Sequence, residues 1–143
     1  MADARAATVR LVDEPTATGR VAEIFADIKR TKKIDFVPNL WRALAINPTQ
    51  LEGVWNTLKP LMHPEAAGRE SPLDAKTREI IALAVSATNG CAYCVNSHTA
   101  ALKKQGVSNE MLGEVMAIVG LFNMTNALAD GYQIEPDVLP PVE

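Results

Sequence analysis

With 143 residues, 48% of them apolar, the chain is long enough to bury a core and too apolar to be a disordered segment. A formal net charge of -3, with no basic cluster larger than Arg30-Thr31-Lys32-Lys33, gives nucleic-acid binding no support. No uninterrupted apolar run reaches the roughly 18 residues of a membrane span, and Met1–Arg5 lacks the apolar core of a signal peptide. The expectation is one cytoplasmic domain over residues 1–143, with no nucleic-acid and no membrane partner.

Residues 1–15 read as an extended arm whose only strand-like run is Thr8–Val12. A lone strand has no partner, so the arm is expected to lie on the surface or on a neighbouring subunit. Thr16 or Thr18 can cap a helix running to Lys32, with Val21, Ile24, Phe25 and Ile28 at helical spacing. Residues 34–37 form a loop. Pro38 then suits the start of a short helix over 39–46, with Trp41, Leu44 and Ala45 inward. Asn47-Pro48 ends that helix and opens the next, to Leu61, whose stripe is Leu51, Val54, Trp55 and Leu58. Trp41 and Trp55 can be core aromatics or a substrate wall. Residues 62–70 are a polar loop holding His63, read as solvated.

Ser71-Pro72-Leu73-Asp74 marks a helix start, with Ser71 as cap, Pro72 in the first turn and Asp74 favouring the amino end. This helix runs to Thr88. From Ile80 to Ala87 it is apolar on nearly all sides, which predicts a central, buried helix. Asn89-Gly90 stops it, and a further helix spans Cys91 to Gln105, ending at Gly106. Ser108 caps the last helix, to Ala129, with Met111, Val115, Ile118, Val119 and Phe122 inward. Residues 131–143 carry Pro136, Pro140 and Pro141 and form a second extended arm. The sum is an all-α chain of six helices, centred on a buried helical hairpin.

That hairpin carries the chemistry. Both cysteines of the chain and one of its two histidines lie in Cys91-Ala92-Tyr93-Cys94-Val95-Asn96-Ser97-His98. Each helical residue advances about 100°, so Cys91, Cys94 and His98 share a stripe roughly 60° wide. Glu79 lies about as far before the Asn89-Gly90 turn as His98 lies after it, so an antiparallel hairpin sets the carboxylate against the imidazole. The thiolate is the reactive form of cysteine, and a free thiol near pKa 8.5 is mostly protonated at neutral pH. A helix amino terminus favours the thiolate, a histidine can take its proton, and a carboxylate can fix the histidine tautomer. A Cys-x-x-Cys pair can also close a disulfide, giving a two-electron switch.

Other readings of these residues stay open. The cysteines can be small core residues. Cys91, Cys94, His98 and Glu79 can also supply four zinc ligands, although no second cysteine knuckle exists. Glu79 can be a surface carboxylate beside Arg78. Tyr93 can serve as core, interface or a donor in the site.

Glu79, eleven residues, Cys91-x-x-Cys94, three residues and His98 together resemble the signature of the alkylhydroperoxidase D branch of the carboxymuconolactone decarboxylase family. The resemblance is strong over residues 71–120, and Val37-Pro38-Asn39-Leu40 and Asn47-Pro48 resemble the family's amino-terminal half. It implies an all-helical subunit assembled as a trimer or hexamer, with no cofactor, and reduction of a peroxide substrate in antioxidant defence. Cys94 would become the sulfenic acid. Cys91 would be proton donor and resolving thiol. Glu79 and His98 would relay protons, and an external dithiol protein, thioredoxin-like or lipoyl-bearing, would restore the pair. Some members carry a histidine between the cysteines where this chain has Tyr93. A redox-sensing or metal-binding module, or a decarboxylase like the family's other branch, are the alternatives; that branch does not need a Cys-x-x-Cys.

Overall fold

The computed structural model describes residues 6–142; Met1–Arg5, the stretch weighed against a signal peptide, lies outside them. Six α-helices follow one another: α1 (Gly19–Lys32), α2 (Asn39–Leu44), α3 (Pro48–Met62), α4 (Ala75–Asn89), α5 (Ala92–Lys104) and α6 (Asn109–Gly131). Short 3-10 turns occur at Glu14–Thr16 and Pro64–Ala67, and no strand forms among the described residues. The all-α, six-helix expectation holds. The chain forms two compact units, one ending at Pro72 and one beginning at Leu73.

In the first unit α1, α2 and α3 close over Ile24, Phe25, Ile28, Val37, Trp41, Ala45, Leu51 and Trp55. Trp41 and Trp55 meet edge to face with centroids 5.2 Å apart, so both are core aromatics. Val54, placed inward by its spacing, is exposed because Leu51 and Trp55 already fill the buried stripe. Trp55 carries a polar N–H into this core, and Asp27 Oδ2 accepts it at 2.8 Å. Lys59 Nζ holds the same carboxylate at 2.8 and 3.0 Å, and Arg30 pairs with it. Burial opposes ionisation of Asp27. The hydrogen bonds from Lys59 and Trp55, with the charges of Lys59 and Arg30, outweigh it and hold the carboxyl below its usual range.

The amino-terminal arm is tied to α2 of its own chain. Val12 N–H donates to Arg42 O at 3.2 Å, Arg42 Nε donates to Val12 O at 3.0 Å, and Arg42 Nη2 reaches Asp13 Oδ1 at 2.9 Å. Its last residues, expected to be extended, form the Glu14–Thr16 turn with Pro15 inside it.

The second unit is built on the α4–α5 hairpin, with α6 packed along α4. Its cap is Asp74, whose carboxylate accepts Thr77 N–H at 2.7 Å, so α4 starts later than a Ser71 cap would place it. The carboxylate is the stronger acceptor for an orphan amide, and these bonds lower the Asp74 pKa. Gly90 ends α4 at φ 72°, the left-handed region glycine enters without steric cost. Leu83, Leu102 and Val107 form the core, backed by Ile80, Val95, Leu112 and Val115. Within the single chain α4 buries only one face: Ile81 and Val85 are about half exposed.

One reading of α6 needs correction. Leu112, Val115 and Val119 are its sheltered positions, whereas Met111, Ile118 and Phe122 are exposed. A helix apolar on every side offers no stripe by which periodicity can choose a face. For the same reason α6 is long and apolar enough, by length and composition, to cross a membrane, although no uninterrupted apolar run is. Asn123 interrupts it and turns back to the unit, donating to Thr88 Oγ1 at 3.1 Å and to Val119 O at 2.9 Å.

Candidate active site

The hairpin turn sets the site's register. Gly90 N–H donates to Ala87 O at 3.3 Å and Cys91 N–H to Ser86 O at 3.0 Å, so the end of α4 holds the first cysteine by its main chain. Cys91 is not a helical residue, as a helix starting at 91 would make it. It is the cap of α5, with φ -88° and ψ 89°, and its Sγ accepts the backbone N–H of Cys94 at 3.2 Å. A sulfur takes the place of the usual capping oxygen. Cys94 lies in the first turn, and the two sulfurs are joined in a disulfide across a Cα–Cα distance of 5.3 Å. The structure is therefore that of the oxidised chain.

Two turns along α5 from the cap, His98 Nδ1 lies 2.7 Å from Glu79 Oε2. These side chains retain 26% and 14% of their exposure, so the pair is sheltered but not sealed. In the tautomer that carries its proton on Nδ1, the carboxylate accepts that proton and Nε2 is left as the nitrogen able to exchange one. Cys94 precedes His98 by four residues, the spacing of neighbours on one helix face. Glu79, Cys91, Cys94 and His98 are thus brought together on one hairpin. Arg78 does not pair with Glu79; its Nη1 donates to Leu73 O, while its buried Nε has no hydrogen-bond partner. Tyr93 projects from the first turn of α5 with 45% exposure, at the surface rather than in a core. His63 belongs to the first unit, where its backbone N–H closes α3 onto Lys59 O at 2.8 Å.

Ser86 was not singled out by its sequence position. It is the buried polar side chain of α4; its hydroxyl donates to Ala82 O at 2.6 Å and its carbonyl anchors Cys91. The signal was a hydroxyl within an apolar run, seven residues after Glu79 and so on the same helix face. Among the described residues no group of three or more His, Cys, Asp or Glu side chains is arranged to hold a metal ion. In this state the two sulfurs are bonded to each other.

Residues 58–134, more than half of the chain, match the model of the carboxymuconolactone decarboxylase family. The crystal structure of an alkylhydroperoxidase AhpD core from Rhodospirillum rubrum is similar over 93% of this chain and 96% of its own, at 44% identity and a TM-score of 0.83. An (R)-2-haloacid dehalogenase of Pseudomonas putida is 32% identical over 114 residues, 78% of this chain and 35% of that protein. An alkyl hydroperoxide reductase AhpD of Mycobacteroides abscessus is 32% identical over 71 residues, half of this chain and 40% of that protein. The chain thus spans well under half the length of these last two relatives, while it matches the AhpD core nearly end to end. By family model and by structure, this chain belongs to the AhpD-like branch of the carboxymuconolactone decarboxylase family.

Proposed function

We propose that the chain is a cytoplasmic, thiol-dependent peroxidase that cycles between a Cys91/Cys94 dithiol and the disulfide, without a cofactor. The observation that carries this reading is the 2.7 Å contact of Glu79 with His98 on the hairpin that bears the disulfide. His98, oriented by Glu79, takes a proton from the dithiol. The Cys94 thiolate attacks the terminal oxygen of a hydroperoxide. The O–O bond breaks, Cys94 becomes a sulfenic acid, and the alkoxide takes a proton and leaves as the alcohol. The sulfur of Cys91 then attacks that of Cys94, the S–O bond breaks, and the hydroxide leaves as water. The substrate's two-electron reduction is thereby balanced by formation of the disulfide. An external dithiol protein, thioredoxin-like or lipoyl-bearing, supplies two electrons to reopen it.

Steady-state reduction of an organic hydroperoxide, with a panel of dithiol reductants including a lipoyl-bearing protein, tests the proposal. Turnover is expected, and Cys94→Ser should abolish it. A disulfide that opens and closes without peroxide turnover would leave a redox-sensing module instead. Purified reduced protein that carries stoichiometric zinc would favour the metal-binding alternative. A chain that decarboxylates lactones with both cysteines replaced would move the activity to the family's other branch.

A further inference from the structure

Ser86 is the one buried polar side chain among the described residues, and the fold gives its hydroxyl no task that alanine would leave undone. That hydroxyl donates to Ala82 O at 2.6 Å, a carbonyl to which the helix already delivers the Ser86 N–H. A hydroxyl turned back on its own helix in this way slightly destabilises it, and alanine is the better helix former. Ala82, Ala84 and Ala87 stand in the same run. The place of Ser86 in the hairpin differs from theirs. Residues 79 and 98 face each other across the turn, with Glu79 Oε2 2.7 Å from His98 Nδ1. In the same register residue 86 faces residue 91, and the main chain shows it: Cys91 N–H donates to Ser86 O at 3.0 Å. Ser86 follows Glu79 by seven residues, so the two side chains leave α4 along nearly the same line. Glu79 faces the histidine, and Ser86 faces the first cysteine.

We propose that Ser86 is a positioning residue for Cys91: once the disulfide is open, its hydroxyl turns from Ala82 O to the Cys91 sulfur and donates to it. This rests on the dithiol cycle proposed above and adds the group that holds its first thiol. The donor is released at little cost, because Ala82 O keeps the Ser86 N–H. The acceptor appears only on reduction: a sulfur in a disulfide is a weak acceptor, whereas a thiolate takes charge-assisted hydrogen bonds. Cys94 N–H reaches the same sulfur at 3.2 Å from α5. The hydroxyl approaches from α4, so both helices hold the thiolate. Held there, it is placed to attack the sulfur of Cys94 after peroxide has oxidised it. The surroundings offer few other groups for this task. Besides the cysteines, the stretch from Ile80 to Leu102 contains only Tyr93 and His98 as titratable side chains, and α6 carries no charged side chain between Glu114 and Asp130. Tyr93 is at the surface, and Glu79 and His98 engage each other two turns along the hairpin.

The test uses the full chain carrying Cys94→Ser, which leaves Cys91 as its sole thiol and keeps the main-chain N–H at position 94. The pH dependence of alkylation by iodoacetamide is followed in that chain, and again with Ser86→Ala or Ser86→Thr added. Ser86→Ala is expected to move the midpoint up by about one unit, a tenfold smaller thiolate fraction at any pH below it. Ser86→Thr keeps a hydroxyl and is expected to stay at the parent midpoint. A midpoint that Ser86→Ala leaves unmoved overturns the proposal. So does an upward shift that Ser86→Thr shares in full, since that shift comes from repacking and not from the hydroxyl. Thermal unfolding of the disulfide form, with both cysteines present, gives the structural control: Ser86→Ala is expected to melt no lower than the parent. A lower melting temperature with an unmoved midpoint makes the hydroxyl a part of the fold alone and overturns the proposal. No peroxide is present, so a chain that fails to turn over peroxide can still show the shift, and a working peroxidase can still refute it.

Discussion

At the residue scale the candidate site turns on one contact. Glu79 and His98 are 2.7 Å apart and only partly exposed, so each is the other's local environment. Glu79→Gln keeps the shape and removes the charge that stabilises an imidazolium. His98→Gln removes the base and keeps a similar size. In the reduced protein at neutral pH, each is expected to slow alkylation by about tenfold, equivalent to about 1.4 kcal/mol. The double variant should lose less than the product of the two, because residues acting as a unit are not additive. Fully multiplicative losses would mean that the pair does not act on the thiols together. Tyr93→Phe is expected to change little, since the ring stands at the surface; a loss comparable to that of His98→Gln would place the phenol in the relay. The spacing around Asn89-Gly90 made the Glu79–His98 contact legible, since equal steps before and after a helix stop meet in a hairpin. The capping role of Cys91 was not legible. One residue decides whether a chain position is the last of the turn or the first of the helix, and only the Ser86 and Cys94 hydrogen bonds settle that.

At the element scale the first unit was readable wherever an apolar stripe had a clear polar opposite, as in α1, where Ile24, Phe25 and Ile28 are all buried. What periodicity missed was the polar anchor inside that core. Asp27, on the rim of the α1 stripe, receives Trp55 and Lys59 from α3. Asp27→Leu leaves the Trp55 N–H without its acceptor, and is expected to cost about 1–3 kcal/mol in a denaturant titration at pH 7. The pH dependence follows from the lowered Asp27 pKa. A carboxyl that ionises more readily in the folded state stabilises the fold above its unfolded pKa of about 3.9, and that stability is lost as pH falls through the lower folded value. Stability measured from pH 6 down to pH 2 should therefore fall less steeply in Asp27→Asn than in the parent; parallel curves would remove Asp27 from the acid limb. In the second unit Gly90 carries the comparable constraint. A Cβ there meets nothing within 4 Å, so the strain of Gly90→Ala is purely that of φ 72°. Its expected cost is about 1–2 kcal/mol.

At the scale of the whole molecule the unfinished surface is the apolar side of α6 and the open face of α4. Met116, Ile118, Leu121, Phe122, Met124 and Leu128 on α6 are each at least 37% exposed, and Ile81 and Val85 on α4 about half. A patch of this kind marks a surface that something covers. A bilayer is one candidate, since α6 has the length and composition of a span. Against it, Asn123 and Thr88 bind each other across α6 and α4, and the sheltered side of α6 is committed to the hairpin. A helix that spanned the bilayer alone would surrender both. We propose instead that the patch is covered by further copies of this chain, as a trimer or hexamer. Burying the exposed half of such a Leu or Phe side chain gains roughly 1 kcal/mol, so it takes the whole patch on each subunit, rather than one or two side chains, to offset the entropic cost of association. Light scattering of the purified chain is expected to give a mass several times 15.4 kDa without detergent. Phe122→Asp combined with Leu121→Asp should shift it to the monomer, because a buried carboxylate without a partner costs far more than the lost apolar contact. The same variant should keep the Cys91–Cys94 disulfide, which draws its anchors from α4 and α5 alone. A parent chain that is monomeric at micromolar concentration would refute the assembly. Recovery of the parent only with membranes, released by detergent and not by salt, would assign the patch to lipid.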